Sequence, residues 1–237
     1  MRNTEETNPN CIQCNVRMNS LFVGLDTAQL SELLKHKSCS SFKKGQYIFS
    51  ENGLPQGLYC VNSGKIKLST AGIDGKEQIL RLAKAGDLLG YRSLIASERY
   101  SSSAVTLEDS SVCIIDKEYF NTAIITNHIL LFELLKKISI DLKLAEEQIV
   151  SLSQKNVRER MAEALLFLKA TYGFTIDCAT INVAMSREEI ADYVGTSTES
   201  AIRLLSEFNQ DRIIELSGKK IKILNLPLLI KTANLHD

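Results

Sequence analysis

Residues 186–209, SREEIADYVGTSTESAIRLLSEFN, constrain this chain more than any other stretch. Two helical patterns meet there at a glycine. The first carries apolar residues at Ile190, Ala191 and Val194. Gly195 permits a left-handed turn that a Cβ would oppose. Ser197 or Thr198 can cap a second helix, whose apolar side is Ala201, Leu204, Leu205 and Phe208. This is helix-turn-helix grammar, in which the second helix enters the major groove of DNA. Glu199 has the chemistry to accept from cytosine N4, and Arg203 to fork onto guanine O6 and N7. The two are four residues apart and share one face of the helix. An ordinary helical hairpin with a Glu–Arg surface pair is the plainer alternative.

The segment after this second helix strengthens the DNA reading. Phe208 leads into DRIIEL, then SGKK, then IKIL. Two β-branched runs around a glycine turn predict a hairpin, which directly after a recognition helix is a wing. Lys219 and Lys220 fall at its turn, where a phosphate would be met.

The 237 residues can bury a substantial core in one or two domains. The 28 Lys and Arg balance 28 Asp and Glu. Residues 155–237 are balanced too, with 11 of each sign. DNA binding must then come from a local cationic surface, with modest non-specific affinity. No apolar run approaches the length of a membrane span, so no membrane partner is expected. The N-terminal MRNTEETNPN lacks the apolar core of a signal peptide and reads as polar and disordered. The expected compartment is the cytoplasm. Six cysteines there are not expected to form a static disulfide framework.

Residues 25–37 predict a short helix through Leu25, Leu30, Leu33 and Leu34. From about 39 to 116 the pattern changes to short strands: YIF at 47–49, GLYCV at 57–61, KIKLST at 65–70, QILRLA at 78–83 and VCIID at 112–116. Glycines 45, 53, 64, 75 and 86 lie between or beside them, and Asp74-Gly75 reads as a hairpin turn. Regular strands with glycine turns predict a small antiparallel barrel or roll. Residues 118–153 return to helix. Leu131, Leu135, Ile138, Leu142, Ala145, Ile149 and Leu152 repeat at spacings of four and three, a heptad seam. A long helix packed on its own domain is the alternative. A further helix, about 156–172, continues through Val157, Met161, Ala164, Leu165 and Leu168. The fold class is therefore α+β. Residues 1–20 form a cysteine-containing segment, 21–125 an antiparallel β-roll sensor domain, 126–153 a dimerisation helix, and 154–237 a winged helix-turn-helix domain.

This order resembles the Crp/Fnr family of bacterial transcription regulators over nearly the whole chain. The matching pieces are FKKGQYIFSENG at 42–53, LYCVNSGKIKL at 58–68, AGDLLG at 85–90 and SREEIADYVGTSTESAIRLL at 186–205. The resemblance implies a homodimer on a twofold-symmetric DNA operator, with RNA polymerase as an expected partner. It implies base contacts from Thr198, Glu199 and Arg203. Ser186, Arg187, Ser197, Ser200 and Lys219 match positions that meet the phosphate backbone. In the Fnr branch a Ser just before the Arg joins base reading. Here that residue is Ile202, so the half-site is expected to differ.

The family's cyclic-nucleotide members carry a Glu after the Gly that ends GD-x-x-G, and an Arg-Ser pair downstream. Here Tyr91 comes after Gly90, and Ser102 stands where the Arg is expected. Neither charged contact is available, so cAMP is not the expected ligand. The cysteines suggest another signal. Cys11 and Cys14 form a C-x-x-C, and Cys113 occupies the place of the distant cluster ligand in the Fnr branch. The resemblance implies a [4Fe–4S] cluster, which takes four thiolates. Where that branch has a third N-terminal cysteine this chain has Ser20. The fourth ligand is then Cys39 or Cys60, or is absent. Cys39 is preferred, because the first and last strands of such a roll usually pair, while Cys60 is expected to point into the roll as a small apolar residue. Zinc, a reversible dithiol and no role at all stay open for the C-x-x-C. Cys178 lies in the other half of the chain.

Other readings find less support. An enzyme on a cupin-like roll would need a His and carboxylate cluster, and residues 39–116 contain no His. His36, His128 and His236 lack nucleophile or ligand spacing, and Asp87 reads as a turn cap. An interaction module that has lost DNA reading is the third possibility. The chain is expected not to be an enzyme.

Overall fold

The computed structural model describes residue 11 and residues 13–72 and 75–234. The expectations for residues 1–10, Asp74 and His236 lie outside them. Two compact units emerge, one from the residues up to Thr70 with Arg81–Asp141, the other from Ala71–Leu80 with Leu142 onward. Among the described residues no helix is long and apolar enough to cross a membrane.

The first unit begins with a 3-10 turn over Asn15–Asn19 and helix α1, Thr27–Lys35. Asp26 caps α1, and Gln29 closes the capping box. The strands run as β1 (Lys37–Phe42), β2 (Tyr47–Phe49), β3 (Gly57–Ser63), β4 (Lys65–Ala71), β5 (Glu77–Lys84) and β6 (Leu88–Leu89). Then come α2 (Tyr91–Ala96), β7 (Ser103–Thr106), β8 (Ser110–Asp116), α3 (Lys117–Thr126) and α4 (His128–Gln154). The strands form two sheets, ordered β1-β8-β3-β6 and β2-β7-β4-β5. The expected pairing of first and last roll strands is present, with Cys39 opposite Cys113.

Strand alternation sorts the sheet residues into two cores. One face of the β1-β8-β3-β6 sheet supplies Val61, Leu89 and Val112, which pack with Phe49, Ile66, Ala83, Tyr100 and Ala104. The other supplies Leu58, Leu88 and Ile115. These are covered by Leu21, Phe22 and Leu25, by Leu30 and Leu33 of α1, by Phe120 of α3 and by Leu130 and Leu134 of α4. Cys60 packs against this second, helix-covered core, so the expectation that it points into the roll is corrected. It shares the parity of Leu58 and stands opposite Cys113 on β8.

The helix predicted across 118–153 is two helices. The chain turns extended at Asn127, whose side-chain oxygen accepts from the backbone N–H groups of Ile129 and Leu130 and starts α4. A side chain that caps well outcompetes continuation of the helix. The heptad residues lie on α4. Leu130 and Leu134 face the core, whereas Leu131, Leu135, Ile138, Leu142, Ala145, Ile149 and Leu152 are exposed.

The second unit is built from α5 (Val157–Tyr172), α6 (Arg187–Val194), α7 (Thr198–Gln210), the antiparallel pair β9 (Ile214–Ser217) and β10 (Lys220–Ile223), and α8 (Leu226–Thr232). Its core joins Met161, Ala162, Leu165 and Leu168 with Ile190, Val194, Ala201, Leu204, Leu205 and Phe208. Phe208 is fully buried, with the Arg158 guanidinium 4.8 Å from its ring centre. Phe208→Ala is expected to remove about 3–5 kcal/mol of stability, as burial of a full ring demands. Urea unfolding monitored by circular dichroism measures it, and a loss below about 1 kcal/mol would contradict the packing described.

Candidate nucleic-acid interface and cysteine site

Each end of the helix-turn-helix is fixed by short-range chemistry. Ser186 caps α6 by accepting from the Glu189 N–H at 3.0 Å, and Glu189 reaches back to the Ser186 N–H at 2.6 Å. Gly195 ends α6 at φ 72°, ψ 52°, and a Cβ there would stand 3.1 Å from Leu152. Ser197, rather than Thr198, caps α7 by accepting from the Ser200 N–H. Arg160 of α5 donates to the carbonyls of Val194 and Gly195 at 3.1 and 3.2 Å, which satisfies the turn's free acceptors. Sequence reasoning missed Arg160, since nothing local marks a distant arginine as a C-terminal cap.

Helix α7 buries Ala201, Leu204, Leu205 and Phe208 and leaves Glu199, Ile202 and Arg203 exposed. Thr198 is half-buried at the first turn. Glu199 is held below the usual carboxylate range, first by its own backbone N–H and then by Ser197. It is therefore a firm acceptor at neutral pH. Arg203 does not pair with Glu199. Its Nη1 meets Glu207 at 2.9 Å, and Glu207 in turn accepts from Arg158 at 2.7 Å. An exposed pair one helical turn apart contributes only about 0.3–0.5 kcal/mol, so a guanine can compete for the guanidinium. Arg187 is committed differently: it donates to the Gly218 carbonyl at 3.0 Å. Its Nη1 is buried without a hydrogen-bond partner, and burial depresses its pKa. It ties the start of α6 to the wing. The β9–β10 turn carries Gly218 and Lys219, and Lys219 and Lys220 are exposed.

In the first unit, one cavity gathers Cys11, Cys14, Cys60 and Cys113, with Arg17, Lys37 and Asn62 among its lining. The Lys37 ammonium donates to the Cys11 sulfur at 3.2 Å, and the Cys14 thiol faces the Asn62 side-chain oxygen at 3.8 Å. Burial pushes the Cys60 thiol well above its ordinary pKa, with Cys11 adding to the shift. Ser20 also lines the cavity, and its hydroxyl donates to the Arg17 carbonyl at 2.8 Å. Cys39 does not line the cavity; it is joined to Cys113 by a disulfide. No static disulfide framework was expected of the six cysteines, and register places this one pair side by side on β1 and β8 while the other four are free. Among the described residues, no three His, Cys, Asp or Glu side chains are gathered tightly enough to hold a single metal ion. Cys178 is exposed in the second unit.

Tyr91, after Gly90, opens α2 and is buried. Its hydroxyl donates to Asp141 of α4, whose carboxylate also takes Arg81 at 3.1 Å and Lys137 at 2.8 Å. On the inner face of the roll Tyr100 stacks on Phe49 with ring centres 4.0 Å apart. Arg99 donates to the Asn52 carbonyl and Arg92 to Ser101.

A β-roll, a long helix and a winged helix-turn-helix with Glu199 and Arg203 exposed on its second helix form the architecture of a DNA-binding transcription regulator. Residues 39–127 match the cyclic nucleotide-binding domain, and residues 159–232 match the Crp-like helix-turn-helix domain. The chain is 33% identical over 208 residues to the fumarate and nitrate reduction regulatory protein of Vibrio cholerae, covering 86% of this chain and 81% of that one. It is 30% identical over 202 residues to the anaerobic regulatory protein of Bacillus subtilis, covering 83% and 85%. The structure of FixK2 from Bradyrhizobium japonicum superposes with a TM-score of 0.75 at 24% identity, covering 85% of this chain and 99% of that chain. The chain belongs to the Crp/Fnr family of transcription regulators.

Arg203→Ala is expected to weaken binding to the cognate site by about 1–3 kcal/mol and to relax preference at one G·C pair. Fluorescence anisotropy on cognate and scrambled duplexes checks this. An equal loss on both would assign Arg203 to the backbone.

Proposed function

We propose that this regulator acts as a homodimer on a twofold-symmetric operator, with Thr198, Glu199 and Arg203 towards the bases. Ser186, Ser197, Ser200, Lys219 and, through its wing contact, Arg187 face the phosphates. Oxygen or redox state switches its DNA binding through the cysteine cavity, and RNA polymerase is the partner that reads its occupancy of DNA. The observation that carries the reading is the cavity itself, which a C-x-x-C from the N-terminal segment and Cys113 on the sheet line together. The names of the relatives, an anaerobic regulatory protein among them, support the direction of the signal.

The donor set suits the [4Fe–4S] cluster of the Fnr branch. Cys11 and Cys14 are free thiols, Cys113 becomes one once its bridge to Cys39 is reduced, and Lys37 and Arg17 can offset the negative charge of several thiolates. Cys11, Cys14 and Cys113 would hold it, and when bound it supplies an oxygen-labile link between the N-terminal segment and the sheet. That segment bears on α4. Leu21, Phe22 and Leu25 pack in the same core as Leu130 and Leu134, and a Cβ on Gly24 would stand 2.5 Å from Ile129. Freeing the segment therefore removes packing from the helix that joins two protomers. A cyclic nucleotide is not the signal on this reading, because Tyr91 and Ser102 replace its charged contacts and Tyr91 is bonded to Asp141.

The apolar stripe on α4 supports the dimer. Leu135, Leu142 and Ile149 are 52%, 59% and 65% exposed on a single chain, which an isolated chain in water rarely sustains. Ile138→Glu or Leu142→Glu is expected to give a monomer by light scattering, since the seam would bury an unpaired charge. A monomeric unmutated protein at roughly tens of micromolar would overturn the dimer.

The signal is tested by DNA binding of anaerobic and air-exposed protein. The unmutated protein is expected to differ between the two, with a broad absorption band near ~400–420 nm before exposure. Cys14→Ser is expected to lose both the band and the difference. Unchanged iron content and an unchanged oxygen response in Cys14→Ser would end the reading.

A further inference from the structure

Three cysteines stand in one row across neighbouring strands: Cys39 on β1, Cys113 on β8 and Cys60 on β3. Directly opposed residues in antiparallel strands send their side chains to the same face. The middle residue, Cys113, can therefore bond to either side. On one side it is joined to Cys39. On the other, Cys60 shares the cavity with Cys113, Cys11 and Cys14, and Cys39 is outside that lining.

Resting on the cysteine-site reading above, we infer that Cys60 supplies the fourth sulfur of this site and that Cys39 is the lock that withdraws Cys113 from it. The chain thus carries two exclusive arrangements of one sulfur. In the locked one Cys113 is half of a disulfide and offers no thiolate. In the open one Cys113 joins Cys11, Cys14 and Cys60. Opening takes two electrons and two protons: a dithiol reductant attacks the bridge, the Cys39–Cys113 bond breaks, two thiols form, and the reductant leaves as its own disulfide. Closing returns the two electrons to a disulfide oxidant.

Three observations make Cys60 the better fourth donor than either alternative. Ser20, in the place of a third N-terminal cysteine, offers a hard oxygen already spent on the Arg17 carbonyl. Cys39 does not line the cavity, although Lys37 of the same strand does, and its sulfur is bonded to Cys113. Cys60 is a free thiol on the cavity wall, on a strand held on both sides by β8 and β6. A rigid strand ligand beside a loop-borne C-x-x-C also explains how a site lacking one N-terminal cysteine stays anchored to the sheet.

The full chain, with and without prior dithiothreitol and then loaded anaerobically with equal ferrous and ferric iron and sulfide, tests this. Readouts are iron and acid-labile sulfide per chain, the visible spectrum, and peptide mapping of alkylated cysteines without loading. Unmutated protein is expected to load only after dithiol treatment, and mapping of untreated protein is expected to find the Cys39–Cys113 bridge. Cys39→Ser is expected to load to the unmutated level without that treatment. Cys60→Ser and Cys60→Ala are expected to lose most of the iron, at least threefold, with an unchanged thermal midpoint. Loss of iron in Cys39→Ser, or full loading in either folded Cys60 variant, overturns the inference while leaving the wider reading standing. If both Cys60 variants unfold, the Cys39→Ser arm and the mapping decide alone. Reduced unmutated protein that takes up no iron overturns the wider reading together with this one.

Discussion

The alternation of side chains along β3 and β8 is the constraint on which the rest of the first unit depends. Val61 and Val112 face one core and Leu58 and Ile115 the other. A strand with both faces buried must be apolar at both parities, and the small exceptions fall where Cys60 and Cys113 stand. Their face is also where α1, α3, α4 and the N-terminal segment pack. Ordering a residue of a polar tail costs about 1–2 kcal/mol. The segment from Cys14 onward is held where Leu21, Phe22 and Leu25 bury their side chains on this face, with Asn62 beside Cys14. The position of the C-x-x-C is therefore set by apolar burial a few residues downstream.

Much of this was legible in the residues. The helix-turn-helix was, because Gly195 and a cap at Ser197 or Thr198 act through local backbone chemistry, whereas the Ser186 cap of α6 was not read. The strand YIF at 47–49 appears with the expected bounds. What was missed depends on distant partners. Strand β7 is SAVT, too short and too rich in small residues to announce itself, and it forms by pairing with β2 and β4. The break at Asn127 was hidden by an apolar pattern that runs on across it. The side of the sheet taken by Cys60 depends on register with β8, since period-two alternation assigns faces but cannot say which face is the inside.

On the proposed reading, α7 lets a domain of balanced charge read DNA. Arg203, Glu207 and Arg158 form a chain of alternating charge, with Asp211 as a second partner of Arg158 at 2.8 Å. Arg203 is paired along its own helix with Glu207, a carboxylate that Arg158 also meets. Holding it lowers the conformational entropy lost on binding, and the exposed pair is weak enough to exchange. Glu199 faces the opposite constraint. Its carboxylate favours the positive end of α7 but repels phosphate, so it improves binding only where a base donor meets it. The two residues together favour a particular sequence at the expense of general affinity, in keeping with a domain of zero net charge.

Asp141 is the corresponding fixed point of α4. It receives Tyr91 from the roll, Arg81 from β5 and Lys137 from one turn earlier on its own helix. Burial, and then the bond to Asp141, raise the Tyr91 pKa, so the phenol keeps its proton and remains a donor. Charges at this depth regain about what their desolvation costs, so the cluster adds little net stability. Its contribution is direction. Apolar contacts such as Leu130 and Leu134 tolerate sliding of a helix by a fraction of a turn, whereas hydrogen bonds to one carboxylate lose their geometry over the same distance. The cluster therefore sets the register of α4 on the roll at the position where the family's nucleotide-binding members carry a ligand contact. With Tyr91 in that place, a bond internal to the chain occupies the point from which a bound nucleotide would otherwise act on α4. On the proposed reading the signal reaches α4 instead where the N-terminal segment packs against Ile129.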